Sequence, residues 1–307
     1  MLVAGIDAGQ SSTTAAIADE SGRIIARGSA GPADEIGQSA HSTRLRDALG
    51  GAIQNALHAA KLPNDSVFEA IVAGISGYEG TIFGAAPHLP VKRLQLMHDA
   101  PIAHAAALGG KAGVVVIAGT GSVAYMRTDD GREALTGGWG YLFGDEGSAF
   151  WIVRKAVSIA ATHEECTGID RLLSFFDVHS MRELVRGFYV GKIARDDLAS
   201  FAPLCIEAAK AGDTCSCLEM PVLDATKALA DLAVEAADDA SGSVPVAFTG
   251  GLMHDGWFKE KVYVAVRRRF AEMSTRRYEI VEPALEPVLG AVLLALRAAG
   301  VTNPAIA

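Results

Sequence analysis

The stretch LVAGIDAGQSSTTAAIA, residues 2–18, carries the pattern that decides the fold. Short apolar runs at residues 2–6 and 15–18 alternate with turns rich in glycine, serine, threonine and aspartate at residues 7–14 and 19–22, and residues 23–27 follow as a third strand. Apolar runs bounded by such turns are typical of β-strands joined by tight connections. The stretch therefore predicts a three-stranded meander whose first turn is rich in hydroxyl groups and glycine.

The same plan returns in the middle of the chain. An apolar run at residues 114–118 leads into the turn GTGS, residues 119–122, and a second run follows at residues 123–126 before a turn at residues 129–131. Internal repetition of one supersecondary unit indicates two related lobes. We therefore expect each lobe to be built on its own copy of this strand-turn-strand unit.

The remaining segments alternate between helical and strand patterns. Helical spacing of apolar residues covers 41–60, 146–161, 181–190, 201–211, 221–237 and 287–299, whereas residues 70–75, 94–97, 244–248 and 278–281 form short apolar strands. Strands alternating with helices predict an α/β architecture. We expect an N-terminal lobe at residues 1–108, with a C-terminal helix in 288–307 packing back on it, and a C-terminal lobe at residues 109–287 across a cleft.

Composition and charge exclude several classes of function. The 307 residues carry a formal charge of −9, from 36 acidic and 27 basic residues, and half of them are hydrophobic. A nucleic-acid surface is not expected, because neutralising phosphates requires clustered Lys and Arg. One basic cluster, Arg267-Arg268-Arg269, fits a solvated helix face better than a binding patch.

The cysteines indicate the cellular compartment. Cys166, Cys205, Cys215 and Cys217 lack the paired spacing of a zinc site. Residues 2–6 are too short for the apolar core of an export signal, and no apolar run reaches the length needed to span a membrane. We expect reduced thiols in a cytoplasmic protein with no membrane partner.

The glycine-rich turns suggest phosphate binding. Glycine lets backbone N–H groups approach phosphate oxygens, and serine or threonine adds hydroxyl donors. The turn at residues 7–14 offers both beside the carboxylate of Asp7, an oxygen ligand of the kind that Mg²⁺ prefers. Residues 119–122 offer a second donor set, and Gly250-Gly251 offers a bare surface for adenine. One such turn is commonly a plain connector, but three of them, each ending an apolar strand, favour ATP binding. Neither the P-loop string nor a G-x-G-x-x-G after the first strand is present.

Several motifs resemble one known family. They are GIDAGQSSTTAAI (5–17), AGISGYEG (73–80), HDAPIAHAAA (98–107), IAGTGSVAY (117–125), GGWGYLFGDEGSAFWI (137–152), FTGGL (248–252) and EPVLGAVLLAL (286–296). In this order they resemble the BadF/BadG/BcrA/BcrD ATPase family, especially its N-acetylglucosamine and glucosamine kinases. The resemblance implies two ribonuclease H-like lobes of the actin and hexokinase type around an interlobe cleft, with ATP and Mg²⁺ as cofactors. It also implies a sugar substrate, and we expect a homodimer.

The resemblance assigns a role to each matching position. Asp99 is implied as the catalytic base, and Asp7 as the residue that organises Mg²⁺, directly or through water. The implied ATP-binding residues are Gly9, Ser11, Thr13, Thr120, Gly121, Ser122, Gly250 and Gly251. The implied substrate-binding residues are Asp34, Ser76, Asp99, Gly138, Trp139 and Asp145.

The residues themselves leave alternatives at these positions. Asp99 ends a strand and begins a helix, so it could be a base at a cleft floor or a helix N-cap; the family match favours the base. Asp145 could hold sugar hydroxyls or cap the next helix, and Trp139 could pack against a sugar or anchor a loop. His98 could orient Asp99 or be purely structural.

Two departures from the family pattern affect the interpretation. The first phosphate loop usually reads G-G-G-T-[KR]-[ST], but here residues 8–13 are AGQSST, with Ser12 in place of the basic residue. Relatives also tend to place an asparagine near residues 31–33 to contact the sugar, whereas Asp34 and Glu35 follow here. We predict that an acidic residue there favours a free amine, as in glucosamine, over an acetamide.

These inferences predict an ATP-dependent kinase of an amino sugar that acts at the 6-hydroxyl, a position implied only by the resemblance. N-acetylmuramic acid or an unmodified hexose remain alternative substrates. A second possibility is an ATPase that activates a 2-hydroxyacyl-CoA dehydratase or benzoyl-CoA reductase through a cysteine-bound iron–sulfur cluster. A third is a sugar sensor without turnover, against which the set Asp7, Asp99 and Asp145 argues.

Overall fold

The computed structural model describes residues 1–35, 39–163, 166, 168–212, 216–238, 242–273 and 277–306. The chain divides into two compact units. The first unit contains residues 1–111 and 282–307, and the second contains residues 112–281. Each unit combines one five-stranded sheet with helices, so the predicted α/β class is confirmed.

The described residues of the first unit form five strands and three helices. In chain order they are β1 (Leu2–Ala8), β2 (Thr13–Asp19), β3 (Ile24–Ala30), α1 (Arg44–Ala59), β4 (Phe68–Ile75), β5 (Val91–His98), α2 (Asp99–Leu108) and, after the second unit, α11 (Pro287–Ala298). The sheet order is β3-β2-β1-β4-β5. The first three strands are antiparallel, and β4 and β5 continue parallel to β1. The predicted meander is therefore present.

The second unit is longer and more helical. In chain order it contains β6 (Gly113–Ala118), β7 (Ser122–Arg127), β8 (Glu133–Gly137), α3 (Gly140–Phe143), α4 (Ala149–Ala160), α5 (Gly168–Phe175), α6 (Met181–Tyr189), α7 (Arg195–Ala199), α8 (Ala202–Ala211), α9 (Ser216–Ala236), β9 (Ser243–Thr249), a 3-10 turn (Gly251–His254), α10 (Gly256–Met273) and β10 (Arg277–Val281). Its sheet order, β10-β9-β6-β7-β8, repeats that of the first unit from the opposite end. Both sheets have the antiparallel-then-parallel pattern of a ribonuclease H-like unit.

The sheet of the first unit is covered on both faces. One face of β1 contributes Ala4 and Ile6 to a cluster with α1, and the other contributes Val3 to a cluster with α11. The closing helix approaches so closely that a Cβ on Gly5 would lie 2.3 Å from the backbone nitrogen of Val292. A Cβ on Gly290 would lie 2.0 Å from the carbonyl oxygen of Ile102 in α2. Glycine at these two positions is what lets α11 seat against the sheet and α2.

The second unit buries its sheet under α4, α8, α9 and α10. Phe150, Phe248 and Phe258 lie in this core with at most 1 % of their surface exposed. Cys166 and Cys217 are joined by a disulfide within the same unit, whereas Cys205 is free and buried. The expectation of reduced thiols was therefore wrong for this pair, because the start of α9 brings Cys217 against residue 166. Cys215 lies outside the described residues.

The basic cluster behaves as the solvated helix face that its composition predicts. Arg267, Arg268 and Arg269 lie on α10, and each forms an ion pair with an acidic side chain: Glu260, Glu272 and Asp231, respectively. Among the described residues, the helices are too short or too polar to form a membrane-spanning segment.

Candidate functional site

The predicted residues of the first unit follow the carboxyl ends of three adjacent strands. In the sheet register, Ala8 of β1 pairs with Ile75 of β4, which pairs with His98 of β5. Asp7 and Gly9 flank the first of these positions, and Ser76 and Asp99 follow the other two. Since parallel strands end at a common edge of the sheet, the candidate phosphate turn and the candidate base share that edge.

Backbone hydrogen bonds hold the turn between β1 and β2 in place. The N–H of Gly9 donates to the Ser12 carbonyl at 2.9 Å, and the Gly9 carbonyl accepts the N–H of Ala33 at 3.0 Å. The Ser76 N–H donates to the Ala8 carbonyl at 2.9 Å. These bonds bring the segments around residues 33 and 76 beside the turn.

The hydroxyl groups of the turn have different environments. Ser11 is exposed, so its side chain is free to meet a ligand. Thr13 is fully buried, and its Oγ1 donates to the Gly31 carbonyl at 2.8 Å, which ties the start of β2 to the end of β3. The Thr13 hydroxyl therefore holds the shape of the turn. The predicted ATP contact of Thr13 stays a prediction, with its backbone N–H as the donor.

Asp7, near the end of β1, carries a partly buried carboxyl group. Loss of hydration, together with the nearby negative charges of Asp99 and Glu286, raises its pKa to about 7. Glu286 precedes α11 and forms an ion pair with Arg27 at 2.5 Å. A carboxylate in such an environment gains from a bound cation, because the cation offsets both the lost hydration and the repulsion.

Asp99 is the first residue of α2, and it is not the N-cap. The cap is His98, whose Nδ1 accepts the N–H of Ala100 at 3.1 Å. The Asp99 Oδ1 atom lies 2.8 Å from the same Nδ1, and its side chain is 20 % exposed. The capping alternative for Asp99 therefore does not apply, and the carboxylate is open to a ligand.

Polar atoms that are buried without a hydrogen-bond partner in the described part of the first unit concentrate around this edge. They include Oε1 of Gln10 in the turn, Nε of Arg44 on α1 and Oδ1 of Asp99. Buried polar atoms of native proteins nearly always have partners, so such atoms indicate where a polar ligand or water binds. Gln10 and Arg44 were not predicted as site residues.

Asp34, the predicted determinant of amine selectivity, is not an isolated charge. Its Oδ1 lies 3.1 Å from Nη2 of Arg44, and only 14 % of its side chain is exposed. The neighbouring Glu35 accepts the backbone N–H groups of Phe83 and Gly84 at 2.9 and 2.8 Å. Arg44 balances the negative charge of Asp34, and this ion pair weakens the argument that Asp34 favours a free amine. The preference for a free amine stays a prediction.

The oxygen atoms at this edge fit Mg²⁺ in its common mode of binding. Asp7 provides a partly buried carboxylate and Gln10 an amide oxygen without a partner among the described residues. The described residues contain no group of three or more His, Cys, Asp and Glu side chains that could enclose a metal. One carboxylate, with waters and nucleotide phosphates as the other ligands, is how Mg²⁺ is usually held with ATP.

In the second unit, the turn of residues 119–122 is bonded to the start of α4. The N–H groups of Ala149 and Phe150 donate to the carbonyls of Gly119 and Thr120 at 2.9 and 3.3 Å. Ser122 donates its hydroxyl to the Glu146 carbonyl at 2.8 Å. The candidate phosphate-side turn and the candidate sugar-side segment therefore form one hydrogen-bonded structure.

Asp145 occupies the centre of that structure. It is 5 % exposed and has a left-handed backbone, with φ of 57°. Its Oδ1 accepts the Ser122 N–H at 3.3 Å, and its Oδ2 accepts Nη2 of Arg195 at 2.6 Å. The helix cap is Ser148, whose Oγ accepts the Trp151 N–H. The capping alternative for Asp145 therefore does not apply, and Arg195 is a partner that no sequence motif marked.

Trp139 lies in a loop that glycine makes possible. Gly137, Gly138 and Gly140 all have positive φ, between 71° and 78°, which turns the chain sharply on either side of the indole. Trp139 is 76 % exposed, and Phe143 on the following short helix is 83 % exposed. Large exposed apolar side chains next to a polar site are suited to the apolar face of a ligand.

The Gly250-Gly251 pair ends β9 next to β6. Gly250 has φ of 102°, and a Cβ there would lie 2.5 Å from the Ala118 carbonyl oxygen. A Cβ on Gly251 would meet nothing within 4 Å. The first glycine is thus required by the backbone, and the second leaves open space above the end of the sheet.

The structure therefore assembles the predicted residues into two groups, one in each unit. The first group is Asp7, Gly9, Ser11, Thr13, Asp34, Ser76 and Asp99, and the second is Thr120, Gly121, Ser122, Gly138, Trp139, Asp145, Gly250 and Gly251. Within each unit they lie in the turns that follow or join the strands of the sheet. Arg195 and Arg44 were not predicted as site residues, because neither lies in a motif.

The sequence profile of the BadF/BadG/BcrA/BcrD ATPase family matches residues 4–295. The chain belongs to this family. The resemblance inferred from the motifs is therefore confirmed, and the two sheets with matching strand order agree with it.

Individual relatives carry more specific names. The chain is 26 % identical over 211 residues to an N-acetylmuramic acid/N-acetylglucosamine kinase of Clostridium acetobutylicum, covering 66 % of this chain and 67 % of that protein. It is 29 % identical over 213 residues to an N-acetyl-D-glucosamine kinase of Dictyostelium discoideum, covering 65 % of this chain but only 64 % of the relative's length. A Chromobacterium violaceum structure assigned as an N-acetylglucosamine kinase superposes with a TM-score of 0.75 at 23 % identity, covering 96 % and 98 % of the two chains. That structure shows the shared fold.

Proposed function

We propose that this family member is a sugar kinase that transfers the γ-phosphoryl group of ATP to a hydroxyl of an amino sugar, N-acetylglucosamine or glucosamine. The names of the two relatives support an alcohol acceptor on an amino sugar. The 6-hydroxyl is the acceptor in this proposal.

One observation carries the proposal. A partly exposed carboxylate, Asp99, begins a helix at the same sheet edge as the glycine- and serine-rich turn of residues 8–13. Phosphoryl transfer needs little from a protein beyond positioning, charge neutralisation and one group to accept the hydroxyl proton. A turn for the phosphates and a base at one edge provide those requirements.

The chemical step follows from these roles. The sugar hydroxyl oxygen forms a bond to the γ-phosphorus as the bond between that phosphorus and the β–γ bridging oxygen breaks. Asp99 accepts the hydroxyl proton, and ADP leaves with the negative charge. The turns at residues 8–13 and 119–122 hold phosphates, while Asp145 and Trp139 hold the sugar. When bound, Mg²⁺ at Asp7 neutralises phosphate charge.

A coupled assay of ADP release tests the proposal. Glucosamine, N-acetylglucosamine, N-acetylmuramic acid and glucose are compared at equal concentrations, with a no-sugar control for ATPase activity. We expect sugar-dependent ADP release with an amino sugar, and a phosphorylated product in the mass spectrum. ADP release that is equal with and without every sugar would refute the sugar kinase.

The same assay tests amine selectivity. If Asp34 favours a free amine, Asp34→Asn lowers the ratio of the glucosamine rate to the N-acetylglucosamine rate. An unchanged ratio would show that the Arg44 ion pair leaves no net charge for the amine to sense.

An activator ATPase would need cysteines for an iron–sulfur cluster. Of the cysteines that the structure describes, Cys166 and Cys217 bond to each other, and Cys205 is fully buried. No specific observation therefore favours that function. Iron analysis of the purified protein provides a direct check, since bound iron with no sugar phosphorylation would favour it. The cytoplasmic location and the homodimer stay predictions.

A further inference from the structure

Arg195 is partly buried beside the two candidate ligand-binding segments of the second unit. It is the first residue of the short helix α7, and 16 % of its side chain is exposed. Its Nη2 donates to Asp145 Oδ2 at 2.6 Å. A Cβ on Gly121 would lie 2.9 Å from that carboxylate oxygen and 3.1 Å from Nη2. The ion pair therefore lies directly against the turn of residues 119–122.

Two aromatic rings fix the guanidinium in this position. Its central carbon lies 5.0 Å from the ring centre of Tyr141 and 5.7 Å from that of Phe150. The two rings contact each other edge to face at 5.1 Å. Tyr141 lies in the short helix α3, directly after Trp139, and Phe150 lies in the first turn of α4. Arg195 thus links the Trp139 loop, the Asp145 turn and α4.

Among the described residues, each Asp145 oxygen receives one donor, since Ser122 N–H binds Oδ1 and Arg195 binds Oδ2. A carboxylate oxygen has two acceptor positions, so each oxygen retains one for a ligand hydroxyl. The guanidinium also balances a charge that would otherwise be buried alone, and an unpaired buried charge is costly. The ion pair therefore holds the carboxylate in one orientation and favours its charged form, with an acceptor position left on each oxygen.

We propose that Arg195 is a positioning residue of the sugar site, which holds Asp145 as an oriented, ionised acceptor for sugar hydroxyl groups and joins it to the loop of Trp139. This inference rests on the proposed function. It adds a residue outside the family motifs, on a helix that sequence patterns did not predict.

The pH dependence follows from the charges around Asp145. Burial raises the pKa of Asp145, the Arg195 charge lowers it, and the nearby Glu146 raises it. Loss of the Arg195 charge therefore raises the pKa further. Protonated Asp145 has less acceptor capacity, so the acidic limb of kcat/KM for the sugar moves to higher pH.

Steady-state kinetics of the full chain test the inference with Arg195→Met, which keeps much of the side-chain volume but removes the charge. We expect the sugar KM to rise about 10- to 100-fold at neutral pH, the range set by a lost charged hydrogen bond, with a smaller change in kcat. The acidic limb of kcat/KM for the sugar shifts to higher pH. Arg195→Lys keeps the charge without the planar fork, so its limb stays in place while its sugar KM rises. Should the methionine variant fail to fold, the lysine variant decides.

Arg182→Met is the matched control, since Arg182 is an exposed arginine of α6 and its loss should change neither quantity. Asp145→Asn combined with Arg195→Met should raise the sugar KM by less than the product of the two single effects, because the second change removes a partner that no longer matters.

Multiplicative effects, or an Arg195→Met or Arg195→Lys variant with the sugar KM of the control, would overturn the inference. Wild-type protein that phosphorylates no sugar would overturn the proposed function and this inference together, whereas active wild type with an unaltered Arg195→Met variant overturns this inference alone.

Discussion

The Oδ1 atom of Asp99 lies 2.8 Å from Nδ1 of His98, and the same nitrogen accepts the N–H of Ala100. The two contacts require different protonation states of Nδ1. This nitrogen can accept the backbone N–H only without a proton, and it can donate to Asp99 only with one. Protonation of the ring would exchange the helix cap for a hydrogen bond to Asp99. The candidate base is therefore unoccupied by its neighbour only while His98 is neutral.

Activity is predicted to fall in acid through this histidine. Burial lowers the pKa of His98, but the hydrogen bond and charge of Asp99, with a contribution from Glu79, raise it above its ordinary value. As the pH falls through that raised pKa, His98 gains a proton and donates to Asp99. We expect His98→Asn, whose side-chain oxygen can still cap α2, to move the acidic limb of kcat to lower pH. A limb that stays in place would contradict the role of His98, and exposed His88 provides the control as His88→Asn.

Loss of the Asp99 carboxylate should abolish most of the phosphorylation. Asp99→Asn keeps the shape of the side chain but cannot accept the hydroxyl proton, so we expect kcat to fall about 10²- to 10⁴-fold with ATP affinity nearly unchanged. The readouts are sugar-dependent ADP release and ATP binding by calorimetry. Asp65→Asn, at an exposed position of the same unit, should behave as wild type. Full activity in Asp99→Asn would remove Asp99 as the base.

The partly buried Asp7 predicts a pH-dependent stability. Its pKa is about 7 in the folded protein and 3.8 as an ordinary carboxyl, so the folded state binds a proton that the unfolded state releases. Without metal, wild-type stability should therefore fall as the pH rises from about 4 to about 7, by at most ~1.4 kcal/mol per pH unit from this group. Asp7→Asn should lack this component. Urea denaturation at several pH values checks this prediction, and parallel curves for both proteins would contradict it.

The two glycines after β9 provide a matched pair of substitutions. Gly250→Ala places a Cβ against the Ala118 carbonyl and forces a positive φ on alanine, so we expect a loss of about 1–3 kcal/mol and weaker ATP binding. Gly251→Ala meets no atom within 4 Å and should change stability by less than about 0.5 kcal/mol. Thermal unfolding and nucleotide titration measure both effects. Equal destabilisation by the two substitutions would contradict the conclusion that the backbone at Gly250 requires glycine.

Sequence patterns predicted the parts of the fold that local chemistry determines. The first meander and its repeat were found because apolar runs alternate with Gly, Ser and Asp turns, and the closing helix was predicted within one residue of its observed end. The third strand of the second meander, β8 (EALTG), was missed because it is short and none of its five residues is fully buried. In the first repeat, β3 follows β2 after a short turn. The same spacing after β7 could have located β8.

Contacts between distant segments could not be predicted in the same way. Helix α10 was recognised only through its arginines, since charged residues interrupt its apolar spacing. The Asp145–Arg195 pair joins residues 50 positions apart, and the Cys166–Cys217 bond spans 51. Neither pairing is encoded in local spacing. Both depend on how α4, α7 and α9 pack, which is a property of the folded core.

The seating of Gly290 against Ile102 has a consequence for synthesis on the ribosome. Helix α11 covers the face of β1 around Gly5, yet it is translated only after the whole second unit. At typical elongation rates, the roughly 170 intervening residues keep that face waiting for roughly 10 to 35 s. The face of β1 that α11 covers therefore stays uncovered while the second unit is being synthesised.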